Sequence, residues 1–345
     1  MPVKSSFSEA RSEVSSDFFK DSYREQSKAI QPKLPRLRGF QIHAVDGDQL
    51  ELPATQDVLN AGYRGFFCKD NQETHYPRMY YTSKVEVFSG VVVDVRESTK
   101  NDECKSAVEM ALEAASDSIT LYDRLHFSVT LASAHKESHS FYVARLKEGS
   151  TVLLEIQEFI RSKRKSKWVD IDGVFVRFLR VKNPKSKAWM YLATNLSRGQ
   201  FKAKQIQWLY WRRYDIETVF RDLTSTHSLG IWHSTKINGI LQEFYLQFYI
   251  HNCARFLILS QGGIEVVKNI KTGEYHRPNF KLIREYFIDN LRLLIQKQVA
   301  RFMAEIKILI RKSMELRVYF SRISPRQVKY TRNIYTSASL IPRRA

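Results

Sequence analysis

The sequence predicts a mixed α/β core followed by a predominantly helical C-terminal region, and three observations carry that prediction. Short runs rich in β-branched and aromatic residues recur through 40–96 and again at 119–123, with a helix-like segment at 102–115 between them. A second group of alternating runs spans 141–194. Beyond residue 203, apolar residues return at helical spacing through 203–227, 237–260 and 281–319. Strands, then a helix, then a strand argue for helices packed on a mixed sheet, not for an all-β chain.

Taken in order, residues 1–38 are polar and charged and predict a short helical, basic arm, with a helix over 8–29 stopped near Pro32 and Pro35. The run FQIHAVD at 40–46 predicts the first strand, ended by Asp46 and Gly47, a pair that also reads as a turn. MYYTSKVEVF at 79–88, GVVVDVR at 90–96 and ITLYD at 119–123 follow, the last ending in Asp123, so that 39–140 forms the first part of the core. The runs 141–147, 151–156, 174–181 and 188–194 are separated by the basic turns 161–167 and 182–187. They predict an antiparallel β-insertion over 141–200 that presents cationic loops. A helix and the end of the core are expected over 201–260, and a helical, basic region over 261–345.

At 345 residues the chain is long enough to bury a large core. Its 55 Lys and Arg against 36 Asp and Glu give a net charge of +19, which points to a polyanionic partner, nucleic acid first among them. A basic surface that binds RNA, ribosomes or anionic membrane without specificity is the plainer reading of the same charge. Cys68, Cys104 and Cys253 are far apart and form no CxxC pair, so neither a disulfide framework nor a zinc site is expected, only buried thiols. The N-terminus has no apolar signal segment, and the apolar stretch at 244–259 is broken by His251, Asn252 and Arg255. A cytoplasmic protein is expected.

The chemistry concentrates on Tyr210, Arg213 and Glu217, three and four residues apart on the predicted helix, beside an apolar arc of Leu209, Ile216, Val219, Phe220 and Leu223. Asp46 and Asp123, each at the end of an apolar run, occupy positions where a sheet can fix a carboxylate at the lip of a cleft. Three such acids supply the hard oxygen ligands that Mg²⁺ or Mn²⁺ prefers. Each acid also has a plain explanation. Asp46 and Gly47 make a turn, Asp123 caps a helix or pairs with Arg124, and Glu217 pairs with Arg213 or Arg221.

Together, the segments QIQWLYWRRYDIETVFRDL, HAVDGDQLELPAT and ITLYDR resemble the Y-R-E-K signature and the two aspartate segments of bacterial insertion-sequence DDE transposases, the group typified by the fourth insertion-sequence family. The resemblance covers roughly residues 38–260 and implies an RNase H-like mixed-sheet core, with the antiparallel insertion before the last catalytic helix. It implies Asp46, Asp123 and Glu217 as catalytic metal ligands for two Mg²⁺ or Mn²⁺ ions. By the same resemblance, Tyr210 and Arg213 contact phosphates near the cut. Arg124, Arg221 and the basic turn Lys163, Arg164 and Lys165 are the other candidate DNA contacts. The implied activity is cleavage at transposon ends and transfer of the 3′-hydroxyl into target DNA by a synaptic homodimer near the bacterial nucleoid.

Departures from the family pattern leave a rival, a decayed or repurposed transposase that binds DNA without cutting it. Thr224 stands where the signature has Lys, Arg124-Leu125-His126-Phe127 where the family has Arg-Gly-aromatic, and Arg213-Tyr214 where it often has Arg-Trp. The 45 residues before Asp46 are also few for a domain that recognises transposon ends. Asp48 competes with Asp46 as first ligand, while His126, His227 and His233 show no metal-ligand spacing. Trp168, Trp189 and Trp232 are candidates for stacking on unpaired bases, although strand aromatics usually serve a core.

Overall fold

The structure, a computed structural model, describes residues 4–65, 76–149, 153–183, 188–226, 228–261, 267–268 and 275–316. Two N-terminal helices, α1 (Lys4–Glu13) and α2 (Ser16–Ile30), lead into β1 (Gln41–Glu51), a short α3 (Gln56–Asn60), β2 (Arg78–Glu86) and β3 (Val92–Ser98). Then come α4 (Glu103–Leu112), β4 (Ser118–Tyr122), α5 (Val129–Glu137), β5 (Phe141–Arg145), α6 (Leu154–Ser162), β6 (Ser166–Ile171), β7 (Val174–Lys182) and β8 (Trp189–Thr194). The remainder is α7 (Ala203–Arg212), α8 (Asp215–Arg221), α9 (Ile237–Ser260), β9 (Val267–Lys268), β10 (Tyr275–Pro278), α10 (Phe280–Asp289), α11 (Leu291–Ile295), α12 (Val299–Lys312) and β11 (Met314–Leu316).

Eight strands form one mixed sheet in the order β3-β2-β1-β4-β5-β8-β7-β6. The contacts β1–β4 and β4–β5 are parallel and the rest antiparallel. Strand β1 is central, and its first five residues are buried because both faces are covered. Ile42 and Ala44 face the core shared with α7, α8 and α9, whereas Val45 faces the core under α4 and α5. The edge strand β3 is closed by α2. Tyr23 donates from its hydroxyl to the Val92 carbonyl at 2.9 Å and Ser27 to the Val93 carbonyl at 2.6 Å, so the free edge is not left open for pairing.

Several boundaries differ from those the sequence predicts. The strand expected at 151–156 is the start of α6. From Leu154 onward the apolar residues Ile156, Phe159 and Ile160 fall on one helical side against the sheet, and residues 150–152 lie outside the described residues. Strand β1 does not end at Asp46 but runs on to Glu51, paired with β2 throughout. The expected single helix over 8–29 is two helices broken at Val14 and Ser15, with Ser15 capping α2 through the Asp17 amide at 3.1 Å. The strands β6, β7 and β8 extend the core sheet itself, joined to it by the antiparallel β5–β8 contact. Cys104 is exposed, contrary to the buried thiol expected, while Cys253 is half-buried and Cys68 lies outside the described residues. The basic segment beyond residue 316 also lies outside them. Among the described residues no helix is long and apolar enough to cross a membrane.

Candidate active site

Parallel pairing of β1 with β4 brings the first two acids together. The register runs from Gln41 opposite Ser118 to Ala44 opposite Leu121. Continued two residues further, it sets Asp46 level with Asp123. Side chains alternate along a strand, so Asp46 shares the face of Ile42 and Ala44, and Asp123 the face of Ile119 and Leu121. Both carboxylates therefore rise toward the α7–α8 side, Asp46 from within β1 and Asp123 from just beyond the end of β4. The β4–β5 register likewise sets Arg145 level with Asp123, since Tyr122 pairs with Ala144.

Arg213 reaches this pair from the junction of α7 and α8. Its Nη1 donates to Asp46 Oδ2 at 3.0 Å and its Nη2 to Glu217 Oε1 at 3.5 Å, so Asp46 and Glu217 are linked through one guanidinium. Its side chain is 8 % exposed, that of Asp46 23 % and that of Glu217 58 %. The helix predicted as continuous over 203–227 is broken here by short-range bonds. The amides of Arg213, Tyr214, Ile216 and Glu217 each donate to the carbonyl three residues back. That tightening tilts Glu217 off the arc of an unbroken helix. A π-helical turn follows over Asp222–Thr226, in which the Thr224 hydroxyl donates back to the Phe220 carbonyl at 2.9 Å. Tyr210 is buried under this junction at 1 % exposure, and burial pushes its hydroxyl up to about 12 although Arg213 and Arg145 act in the opposite direction.

A second arm closes the site from the opposite side of the sheet. His126 Nδ1 lies 2.9 Å from Asp123 Oδ1, and the Leu125 amide donates to the same oxygen at 2.6 Å. On its other nitrogen, His126 Nε2 is 3.0 Å from Glu103 Oε1, a charge contact poorly aligned as a hydrogen bond. Glu103 Oε1 also accepts from the Gly47 amide at 3.0 Å. Sequence reasoning missed Glu103 and Arg145 and gave His126 no role; the one local signal was the departure from Arg-Gly-aromatic after Asp123.

The charges act strongly on one another. Burial pushes the Asp46 carboxyl up to about 6; Arg213 and His126 pull it down, and Glu103 and Asp123 push it further up. Burial also works upward on Asp123, but the His126 and Leu125 hydrogen bonds and the His126 and Arg213 charges hold it below the ordinary carboxylate range. Burial opposes protonation of His126, yet the Asp123 hydrogen bond and the Glu103 contact hold it at about 9. Arg213 is raised despite burial, chiefly by Asp46 and Tyr210. Near neutral pH the acids are thus balanced by two internal cations, His126 and Arg213.

Carboxylates that repel one another while offering hard oxygen ligands fit a divalent cation by donor chemistry. Among the described residues, however, no three His, Cys, Asp or Glu side chains converge closely enough to hold one, because Arg213 stands between Asp46 and Glu217. Because β1 continues past Asp46, Asp48 shares its strand face, where it accepts from the Tyr81 hydroxyl at 3.4 Å. Arg124 and Arg221 are exposed, and Lys163, Arg164 and Lys165 form the exposed turn between α6 and β6. His233 is exposed beside Glu243 and His227 lies outside the described residues. Trp232 donates to the Glu51 carbonyl at 2.7 Å, whereas Trp168 and Trp189 are exposed on the outer strands.

A family model described as a transposase DDE domain matches residues 39–253. No curated protein matches this chain. Among solved structures, the chain is similar to one described as the cryo-EM structure of a piggyBac transposase synaptic complex with hairpin DNA, at 13 % identity and a TM-score of 0.44. That match covers 87 % of this chain and 64 % of the other, so this chain spans less than two thirds of the length of that relative.

Proposed function

Because this chain belongs to the transposase DDE domain family, we propose that it is a metal-dependent DNA transposase of the Y-R-E-K insertion-sequence type. It cuts at transposon ends and joins the freed 3′-hydroxyl to target DNA. The observation that carries the reading is the parallel β1–β4 register, which when continued sets Asp46 level with Asp123, together with Arg213 joining Asp46 to Glu217. The sheet order β3-β2-β1-β4-β5, with β1, β4 and β5 parallel, supports an RNase H-like core.

In this proposal Asp46, Asp123 and Glu217 hold Mg²⁺ or Mn²⁺, two ions for an in-line displacement. When bound, such ions activate the attacking oxygen and offset charge on the leaving one. Glu217 is the acid most open to solvent, since its side chain is 58 % exposed and its contact with Arg213 is a long one at 3.5 Å. Released from Glu217, the Arg213 guanidinium is free to grip a phosphate oxygen, as its planar fork favours. Buried Tyr210 keeps Arg213 at that position. Arg124, Arg221, Lys163, Arg164 and Lys165 track the DNA backbone and fix its register without reading its sequence. The working form is a homodimer that pairs two transposon ends at the bacterial nucleoid.

One observation favours the second reading, a non-catalytic DNA-binding descendant. Glu217 is tied to Arg213 and does not join the two aspartates. The deciding experiment is a cleavage assay with Mg²⁺ or Mn²⁺ on DNA carrying the element's own flanking ends, comparing wild type with Glu217→Gln. Metal-dependent 3′-hydroxyl production that vanishes in the variant supports the transposase. Tight, salt-sensitive binding without cleavage by either protein supports the binding descendant.

A further inference from the structure

On the reading that Asp123 belongs to the catalytic centre, we propose that His126 and Glu103 are a positioning pair: His126 fixes the Asp123 carboxylate beside Asp46, and Glu103 fixes His126. The His126 side chain is fully buried, its ring 5.6 Å from that of Tyr122, so it has little freedom to turn. Its Nδ1 and the Leu125 amide converge on Asp123 Oδ1 at 2.9 and 2.6 Å. Two donors on one oxygen set the plane of the carboxyl group, and Oδ2 is the oxygen left for a substrate or ion.

Glu103 braces this arrangement from α4. Its Oε1 sits 3.0 Å from His126 Nε2 and accepts from the Gly47 amide at 3.0 Å. One carboxylate thereby ties the residue after Asp46 to the turn after Asp123, two segments that are far apart in sequence. Gly47 makes the approach possible, since a Cβ there would stand 2.7 Å from Glu103 Cδ. Glu103 also opens α4, where a negative charge suits the helix dipole. A chain of a fully buried histidine held between two partly exposed acids, with side chains 17 % and 32 % exposed, is a costly arrangement where apolar side chains would pack at least as stably. Here the chain ends on the two segments that carry Asp46 and Asp123, which is what a positioning role requires. Partners that orient a metal-binding side chain commonly contribute about 10–100-fold to metal affinity.

The test is Mn²⁺ titration by electron paramagnetic resonance on the full chain, with kcat and KM for cleavage measured beside it. Asn at position 126 offers an amide nitrogen near the place of Nδ1, and Gln one near the place of Nε2. His126→Ala is expected to weaken Mn²⁺ binding about tenfold or more and to lower kcat without raising KM for DNA. His126→Asn, which keeps the donor to Asp123, should recover most of that loss, and His126→Gln should not. Glu103→Gln should weaken binding in the wild-type background and add nothing to His126→Ala, because the two act in series. Asn and Gln variants that behave alike, with losses that follow melting temperature, would overturn the proposal. So would wild-type Mn²⁺ affinity in every His126 variant while Asp123→Asn abolishes binding. If Asp123→Asn itself leaves Mn²⁺ binding unchanged, the metal-centre reading fails and this proposal falls with it.

Discussion

Asp46→Asn should make the metal-free protein more stable at neutral pH while removing its ability to cut DNA. Burial holds the Asp46 carboxyl at about 6, against 3.8 for the ordinary group, even with Arg213 3.0 Å away. At about 1.4 kcal/mol per tenfold change in proton affinity, ionised Asp46 costs the fold about 3 kcal/mol. Well below pH 3.8 the carboxyl is protonated in folded and unfolded chains alike, and wild type and variant differ by a constant. As pH rises from about 4 to 6 the unfolded chain releases this proton while the folded chain retains it. Wild type therefore loses stability relative to the variant across that window, and the loss is complete above about pH 7. Urea unfolding of both proteins in EDTA at intervals from pH 4 to pH 8 measures it, because groups that do not interact with Asp46 cancel in the difference, leaving Asp46 and its coupled neighbours. The variant should gain about 2.5 kcal/mol between the two ends, the rest of the ~3 kcal/mol lying below pH 4. A difference that stays flat with pH, or moves in favour of wild type, refutes the argument that an ionised acid is stored here under strain. Mn²⁺ added at pH 8 should raise the unfolding midpoint of wild type and leave that of Asp46→Asn in place.

Arg213→Ala removes the cation shared by Asp46 and Glu217 and should cost about 1.5–3 kcal/mol, more at pH 8 than at pH 5, read by urea midpoint at the two pH values. Gly47→Ala should change stability by only about 1 kcal/mol, since the clashing atoms are the movable end of Glu103 and a stiffer unfolded chain offsets the broken hydrogen bond from the amide. The same substitution should weaken Mn²⁺ binding as Glu103→Gln does, and a crystal structure should find Glu103 turned away from His126. Alanine at Lys163, Arg164 and Lys165 should lower the slope of log affinity against log salt by about one for each phosphate no longer neutralised, measured by fluorescence anisotropy on DNA, with little change in melting temperature because all three are exposed.

Much of the architecture is legible in the sequence because burial writes it there. The runs at 79–88, 90–96 and 119–123 are apolar enough to need a covered sheet, and they are β2, β3 and β4 within two residues at each end. Two errors have separate causes, pairing at a distance in one and residue content read before residue spacing in the other. Asp46 and Gly47 read as a turn, yet β2 supplies partners as far as Glu51, so the strand continues through them. The segment from 151 reads as a strand from its aliphatic content, while the spacing of Ile156, Phe159 and Ile160 is the truer guide. The hairpin of β6 and β7 carries a local signal of its own. Asp172 and Gly173 have φ of 50° and 77° between alternating runs, the Asp-Gly turn that best announces a hairpin.

The site divides along the same line between local pattern and distant register. Tyr210, Arg213 and Glu217 stand out by helical spacing, which also foretells the i,i+4 pair of Arg213 with Glu217, but spacing could not reveal the short-range bonds that break the helix at the α7–α8 junction. Asp46 and Asp123 are conspicuous as strand-end acids, although only the β1–β4 register sets them side by side. Glu103 could not have been found at all, since nothing in a helix-opening acid indicates a histidine on another segment. The same geometry balances the acids from within: Arg213 and His126 place positive charge beside them. On the proposed reading, an ion held by Asp46 and Glu217 would take the place of Arg213 between them and leave the guanidinium to bind a phosphate oxygen. Metal entry and phosphate capture would then be linked by exchange of one charge for another. The link predicts that Mn²⁺ and a phosphodiester bind cooperatively in wild type, with each tightening the other by the same factor. In Arg213→Ala, Mn²⁺ no longer has a guanidinium to expel, so its affinity in the absence of DNA should hold or rise while the coupling to DNA disappears. Titrations of Mn²⁺ with and without DNA measure both quantities. Coupling of equal size in the variant would show that Arg213 does not carry the exchange.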